Sequence, residues 1–140
     1  WTADYGQCID LSAKWRTALR FEGIETQLMV VDPSVGAAGT MTLDGKLAHG
    51  KTHGFLVFRH NGQEYIMDPT VRQFFRGGGS TPPIFIGTRD DAAVMFTREQ
   101  GRLQVEIGAD RHEGRYDPLA FTELVYGLGT YRSLRVPIGD

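Results

Sequence analysis

His53-Gly54-Phe55-Leu56-Val57-Phe58-Arg59-His60-Asn61-Gly62-Gln63-Glu64-Tyr65-Ile66-Met67-Asp68 decides the fold. Two apolar-rich runs, Gly54 to Phe58 and Glu64 to Met67, flank Asn61-Gly62. That dipeptide is the strongest short-range hairpin signal, because both of its residues accept positive φ. A two-residue turn there pairs His60 with Gln63, sets Phe55 opposite Asp68 and sets His53 opposite Thr70. Side chains alternate along a strand, so His53, Phe55 and Val57 share one face with Ile66, Asp68 and Thr70. His53 and Asp68 become diagonal neighbours, their Cβ atoms about 7–8 Å apart or somewhat less, within reach of an imidazole–carboxylate hydrogen bond. A slip of one residue would put the two on opposite faces.

On the N-terminal side, residues 8 to 21 read as a helix. Ile9, Leu11, Trp15, Ala18 and Leu19 give an apolar stripe, and Lys14, Arg16 and Arg20 lie off it. Gly6 supplies a break before this helix and Gly23 one after it, with Arg16 and Arg20 towards the end where positive charge suits the dipole. Thr26 to Val31 reads as a strand stopped by Asp32-Pro33-Ser34. Residues 33 to 39 read as a loop, Thr40 to Leu43 as a short strand, and the stretch with His49 and Gly50 as another loop.

Beyond Asp68-Pro69-Thr70 the chain becomes irregular, and Gly77-Gly78-Gly79-Ser80 reads as a flexible loop. Thr88-Arg89-Asp90-Asp91 has the form of a capping box for a helix through Met95 or Phe96, with Asp in place of Glu. Leu103 to Ile107 alternates as a strand does. Asp117-Pro118 opens a final helix through about Tyr126, Asp as cap and Pro in the first turn. Residues 130 to 136 read as one last strand. The first helix precedes nearly all the strands rather than alternating with them, so the fold class is α+β with an antiparallel sheet.

At 140 residues the chain fits a single domain, residues 1–140. Its 41% hydrophobic and 23% charged content is that of an ordinary globular protein, which excludes disorder. Fifteen Lys+Arg against seventeen Asp+Glu give a net charge of -2, whereas nucleic-acid binders usually carry a basic excess. No apolar run approaches the roughly 18 residues of a membrane span, and Trp1-Thr2-Ala3-Asp4-Tyr5 does not read as a signal peptide. Gly77-Gly78-Gly79 lacks the strand–loop–helix context and terminal Lys of a phosphate loop, and no Cys/His cluster provides a metal site.

The single cysteine, Cys8, has two readings. It is an inert buried hydrophobe, as free cysteines often are, or it is present for its thiolate. At the start of a helix, backbone N–H groups and the dipole favour a thiolate, and a neighbouring histidine favours it further. Nucleophilic chemistry then needs a base within hydrogen-bond reach and a third group to orient the base. His53 and Asp68 supply that pair. Taken singly, Asp68 is also a good turn cap and His53 a satisfied polar residue at the head of a strand. His49, four residues earlier, is the rival base. His60 falls at the far end of the hairpin, and His112 in the charged Asp110-Arg111-His112-Glu113, read as a solvated loop. Trp15 and Phe21 read as core.

Gly6-Gln7-Cys8 with its helix, His53-Gly54-Phe55-Leu56-Val57, and Tyr65-Ile66-Met67-Asp68-Pro69-Thr70 together resemble the transglutaminase-like and papain-like cysteine enzymes. The closest likeness is to the papain-like toxin domains at the C-termini of bacterial polymorphic toxins, a group that includes glutamine deamidases. It spans about residues 5 to 75, and the Tyr-x-x-Asp-Pro-Thr segment is its most specific part. It implies a papain-like fold in which a helix carrying Cys8 packs on a sheet carrying His53 and Asp68. Cys8 would be the nucleophile, His53 the general base and Asp68 the orienting carboxylate. Papain-type proteases place a glutamine several residues before the nucleophile as an oxyanion donor. Here Gln7 is adjacent to Cys8 and is the candidate for that contact, beside the Cys8 N–H.

The implied activity is acyl transfer on protein glutamine side chains: deamidation with water as acceptor, transglutamination with an amine, and no cofactor or metal. Two alternatives stand beside it: a cysteine peptidase or isopeptidase, and a non-enzymatic partner-binding domain. The resemblance also implies a secreted module of a larger bacterial toxin that acts in a target-cell cytosol on a host or target-cell protein. A cognate immunity protein would cover Cys8 and His53 or dock beside them. The start at Trp1, without methionine or signal, is what such a module would show.

Overall fold

A computed structural model describes residues 5–31, 34–35, 41–42, 53–77, 83–107, 110–113, 116–126 and 136–138. The first element, α1 (Tyr5–Phe21), starts three residues earlier than its apolar pattern suggests, so Gly6 lies inside the helix instead of ahead of it. Its end is set by Gly23, whose φ of +82° is readily adopted only without a Cβ. There the Gly23 N–H bonds Arg20 O at 3.0 Å and the Ile24 N–H bonds Leu19 O at 2.9 Å, the paired closure of a Schellman turn.

The strands follow as β1 (Gln27–Val31), β2 (Ser34–Val35), β3 (Met41–Thr42), β4 (His53–His60), β5 (Gln63–Asp68), β6 (Phe85–Gly87), β7 (Gln104–Ile107), β8 (Asp110–Glu113) and β9 (Val136–Ile138). Between them lie α2 (Arg89–Arg98) and α3 (Pro118–Tyr126). The main sheet has the order β6-β5-β4-β1-β9, with every neighbouring pair antiparallel. The class is therefore α+β, as the element order requires.

Asn61 and Gly62 have φ of +51° and +78°, the paired positive values of a two-residue hairpin turn. The register is the one that turn dictates, from His60 opposite Gln63 to Leu56 opposite Met67. Alternation along the strands then divides the sheet into two apolar faces. Leu28, Leu56 and Met67 meet Ile9, Ala13, Trp15 and Leu19 of α1 on one side. Met29, Val31, Phe55, Val57 and Ile66 meet Phe74, Ala92, Met95, Phe96, Phe121 and Val125 on the other. The sheet is thus sandwiched between α1 and the α2–α3 pair. His53 and Asp68 have the parity of the second face, while α1 packs on the first.

Both later helices are capped as their sequences suggest. Thr88 Oγ1 accepts from Asp91 N–H at 3.1 Å, and Asp91 Oδ2 accepts from Thr88 N–H at 2.9 Å, the reciprocal pair of a capping box. Asp117 Oδ2 accepts the Ala120 N–H at 3.2 Å, one residue before Pro118 opens α3.

Five sequence expectations are corrected. Ser34–Val35, read as loop, is a strand paired with Met41–Thr42. Asp110–Glu113 is no loop either. It pairs with β7 across a two-residue connection, and His112 lies on β8 opposite Val105. Phe85–Gly87, in the stretch read as irregular, extends the sheet beyond β5. Phe21 is 87% exposed rather than core, because it falls roughly 180° round the helix from the buried Ser12. Ala18 is exposed as well, so the stripe on α1 is narrower than its composition suggests. Of the last expected strand, residues 130–135 lie outside the described residues, and Val136–Ile138 is a strand against β1.

Candidate active site

Strand β4 brings the site together, and it does so through a glycine. A Cβ on Gly54 would lie 2.7 Å from Ile9 Cγ1 and 3.0 Å from Ile9 Cα, closer than packed carbons approach. The absent side chain lets the first turns of α1 rest directly on the backbone of β4. Ser12 Oγ donates to Gly54 O at 3.3 Å, and Gly54 N–H donates to Cys8 Sγ at 3.1 Å. The thiol is therefore held where β4 begins, beside His53 at the neighbouring position.

His53 Nε2–H donates to Asp68 Oδ2 at 3.0 Å. The diagonal contact expected from the hairpin register is present. With Nε2 taken by Asp68, Nδ1 is the ring nitrogen that the carboxylate does not use, and Cys8 is close enough to help raise the pKa of the imidazole. Cys8, His53 and Asp68 are each fully buried. The order Cys8–His53–Asp68 is thus a buried line of side chains drawn from α1, β4 and β5.

Electrostatics favour a charged imidazole. Burial alone would lower the pKa of His53, since it penalises the imidazolium. The Asp68 charge and hydrogen bond, followed by the hydrogen bond and charge of Cys8, outweigh that and push the pKa up to about 10. The ring also sits among aromatic neighbours, with centroids at 4.8 Å from Phe74, 5.6 Å from Phe55 and 5.9 Å from Tyr126. Aromatic faces attract a cation, and such a box also limits how far the ring can swing.

Asp68 is held more firmly than a turn cap would be. Its Oδ1 accepts Thr70 N–H at 3.0 Å and Thr70 Oγ1–H at 3.2 Å. Oδ2 accepts the Tyr126 hydroxyl at 3.0 Å in addition to His53. Gln73 Nε2 donates to Thr70 Oγ1 at 2.8 Å, and Gln104 Nε2 donates to Gln73 O at 3.1 Å, extending the buried network to β7. Four donors on two oxygens fix the orientation of the carboxylate.

Not every sequence candidate falls in this constellation. Gln7 lies on α1 one residue before Cys8, and its side chain is outside the described residues. His49 is also outside them. His60 is exposed at the tip of the hairpin, as expected. Cys8 is the fourth residue of α1 instead of its first, and Gly54 N–H of strand β4 donates to its sulfur.

Two participants were missed from sequence. Gly54 was legible only as a strand residue next to His53, and a glycine inside a strand is itself a signal of close backbone approach. Tyr126 lies 58 residues from Asp68, and nothing in local pattern links them. Among the described residues no three His, Cys, Asp or Glu side chains gather as metal ligands, and no helix is long and apolar enough to cross a membrane. The chain matches no protein-family model, no curated protein and no solved structure.

Proposed function

We propose that the protein is a thiol acyl-transfer enzyme with a papain-like arrangement, Cys8 as nucleophile, His53 as acid and base, and Asp68 as the carboxylate that orients it. The observation that carries this reading is the buried Cys8–His53–Asp68 line, in which Asp68 holds Nε2 at 3.0 Å and Gly54 N–H, next to His53, holds the Cys8 sulfur at 3.1 Å. The preferred substrate is a protein glutamine side chain.

In that reaction the Cys8 thiolate attacks the carboxamide carbon and a C–S bond forms. Imidazolium His53 gives its proton to the departing nitrogen, the C–N bond breaks and ammonia leaves. Neutral His53 then takes a proton from water, the hydroxide attacks the thioester, and glutamate is released with the thiolate restored. An amine in place of water gives a crosslinked product. Gly54 N–H supports the sulfur whenever it is anionic, and a hydrogen bond to a charged group is worth about 1.5–3 kcal/mol.

Cys8 and His53 have no exposed surface, so substrate reaches the sulfur only through an opening of the site. The same burial favours a second reading, in which Cys8 is an inert core thiol of a partner-binding domain. A thiol-reactive probe near neutral pH separates the two: rapid labelling of Cys8 supports the enzyme, and labelling only on unfolding supports the binding domain.

The cellular reading follows from the likeness and stands with it. The domain is a toxin module acting on a target-cell protein, neutralised in the producer by an immunity protein. Expression in a bacterial cytosol without a partner, followed by intact-mass measurement of candidate targets, is the test. A mass gain equal to NH2-to-OH exchange means deamidation, a crosslink means transglutamination, and fragments mean proteolysis. Cys8→Ala is expected to abolish the modification while leaving the fold intact. Full activity of that variant would overturn the enzyme reading.

A further inference from the structure

Asp68 receives a donor that orientation of the imidazole by a single carboxylate does not require. Tyr126, the last residue of α3, gives its hydroxyl to Oδ2, the same oxygen that accepts His53 Nε2–H. Its ring is fully buried, with centroids 5.1 Å from Phe55, 6.2 Å from Phe85 and 5.9 Å from His53. Tyrosine has no need of a carboxylate to pack in an apolar core, and phenylalanine would fill the same volume without a hydroxyl to satisfy.

Resting on the catalytic reading above, we propose that Tyr126 is a positioning residue for the Cys8–His53–Asp68 line. Its hydroxyl pins Asp68 Oδ2 towards His53 Nε2, and its ring is one wall of the box that holds the imidazole. The hydroxyl on Oδ2 and the two Thr70 donors on Oδ1 load both oxygens of the carboxylate. Rotation of the carboxylate away from His53 then breaks at least one further hydrogen bond. The phenol remains a donor throughout, because burial and then the Asp68 charge and hydrogen bond raise its pKa well above the ordinary value. Among the described residues, the titratable groups facing Asp68 are His53 from β4 and Tyr126 from α3, with Cys8 of α1 beyond the imidazole. From α2, the packed residues Ala92, Met95 and Phe96 carry no charge.

The test is Tyr126→Phe, which removes the hydroxyl and keeps the ring. Two readouts are followed in the full chain: the pH profile of Cys8 alkylation by iodoacetamide, and the titration of His53 by imidazole nitrogen NMR. Loss of one donor to a buried charge predicts an alkylation rate about tenfold lower, with its acid limb about one pH unit higher. The His53 pKa is expected to fall by roughly half a unit or more as its carboxylate loosens. A Tyr126→Phe protein that is less stable but keeps the wild-type pH profile and His53 titration would make Tyr126 purely structural and overturn the proposal. If that variant does not fold, 3-fluorotyrosine at position 126 keeps size and donor while strengthening the donor. It is expected to move the acid limb down, and an unmoved limb overturns the proposal. A wild-type thiol no more reactive in the folded than in the unfolded chain would defeat the catalytic reading itself, and the His53 titration would still report on Tyr126.

Discussion

Gly54→Ala puts a single methyl group between α1 and β4, and its effect can be worked from the contacts. The new Cβ would stand 2.7 Å from Ile9 Cγ1, 3.0 Å from Ile9 Cα and 3.4 Å from Ile9 Cβ. The Cγ1 contact can be relieved by a rotamer change, but the Cα is backbone of α1 and moves only with the helix. Carbon pairs sit comfortably at about 3.5–4.0 Å, so the helix must retreat by about half an ångström or more. Overpacking of this kind costs about 1–3 kcal/mol, against which alanine recovers about 0.4–1 kcal/mol by restricting the unfolded chain. The expected net loss is about 1–2 kcal/mol, read as a lower urea midpoint with an unchanged slope. Retreat of α1 also stretches the Gly54 N–H to Cys8 Sγ contact from 3.1 Å and the Ser12 Oγ–Gly54 O bond from 3.3 Å. Iodoacetamide labelling of the folded protein near neutral pH is expected to slow about tenfold, the factor for a weakened hydrogen bond to a charged acceptor. Adding Ile9→Ala removes the Cγ1 clash, so the double variant should be more stable than the two single losses predict. A Gly54→Ala protein with the wild-type midpoint and labelling rate would refute the claim that this glycine seats the thiol.

His53 gives a pH prediction whose sign is fixed by its raised pKa. The unfolded imidazole loses its proton near 6.5 and the folded one near 10. Between those values the native state holds a proton that the unfolded state does not, so stability is full below about pH 6.5 and falls as pH rises towards 10. Urea midpoints at successive pH values should decline across that window, and His53→Gln should flatten the decline. Thr88→Ala removes one half of the capping box at α2, about 1 kcal/mol, and should lower the urea midpoint while leaving Cys8 labelling unchanged.

The hairpin was legible because its information is local. Asn61-Gly62 fixes the turn, the turn fixes the register, and the register alone places His53 and Asp68 within one hydrogen bond. The caps at Thr88 and Asp117 were readable for the same reason, since donor and acceptor lie three residues apart. Phe85–Gly87 escaped because three residues carry too little alternation to stand out, and its strand character comes from pairing with Ile66 to Asp68. The partners of Asp68 divide along the same line. Thr70 is two residues away and readable as a turn contact, while Tyr126 is brought in only by packing of α3 on the sheet. Its position in sequence, at the end of an apolar helix, is what any core tyrosine would show.

The two apolar faces of the sheet explain how a helix on one side serves a histidine on the other. Leu56 faces α1 and Phe55 faces α3, so a thiol carried by α1 cannot approach His53 across the middle of β4. It can do so only at the strand's end, where the sheet stops separating the layers. His53 is the first residue of β4, and Gly54 is the next, with no side chain to hold the helix off. A bulkier residue at 54 would keep the helix on its face of the sheet and the sulfur away from the imidazole. Moving the histidine to 55 would set it against Tyr126, one strand repeat farther from the thiol. The adjacency His53-Gly54 is therefore one device with two parts, an imidazole at the end of a strand and an absent side chain beside it. That device, more than the presence of a cysteine, a histidine and an aspartate, distinguishes this arrangement from three polar residues that happen to be buried.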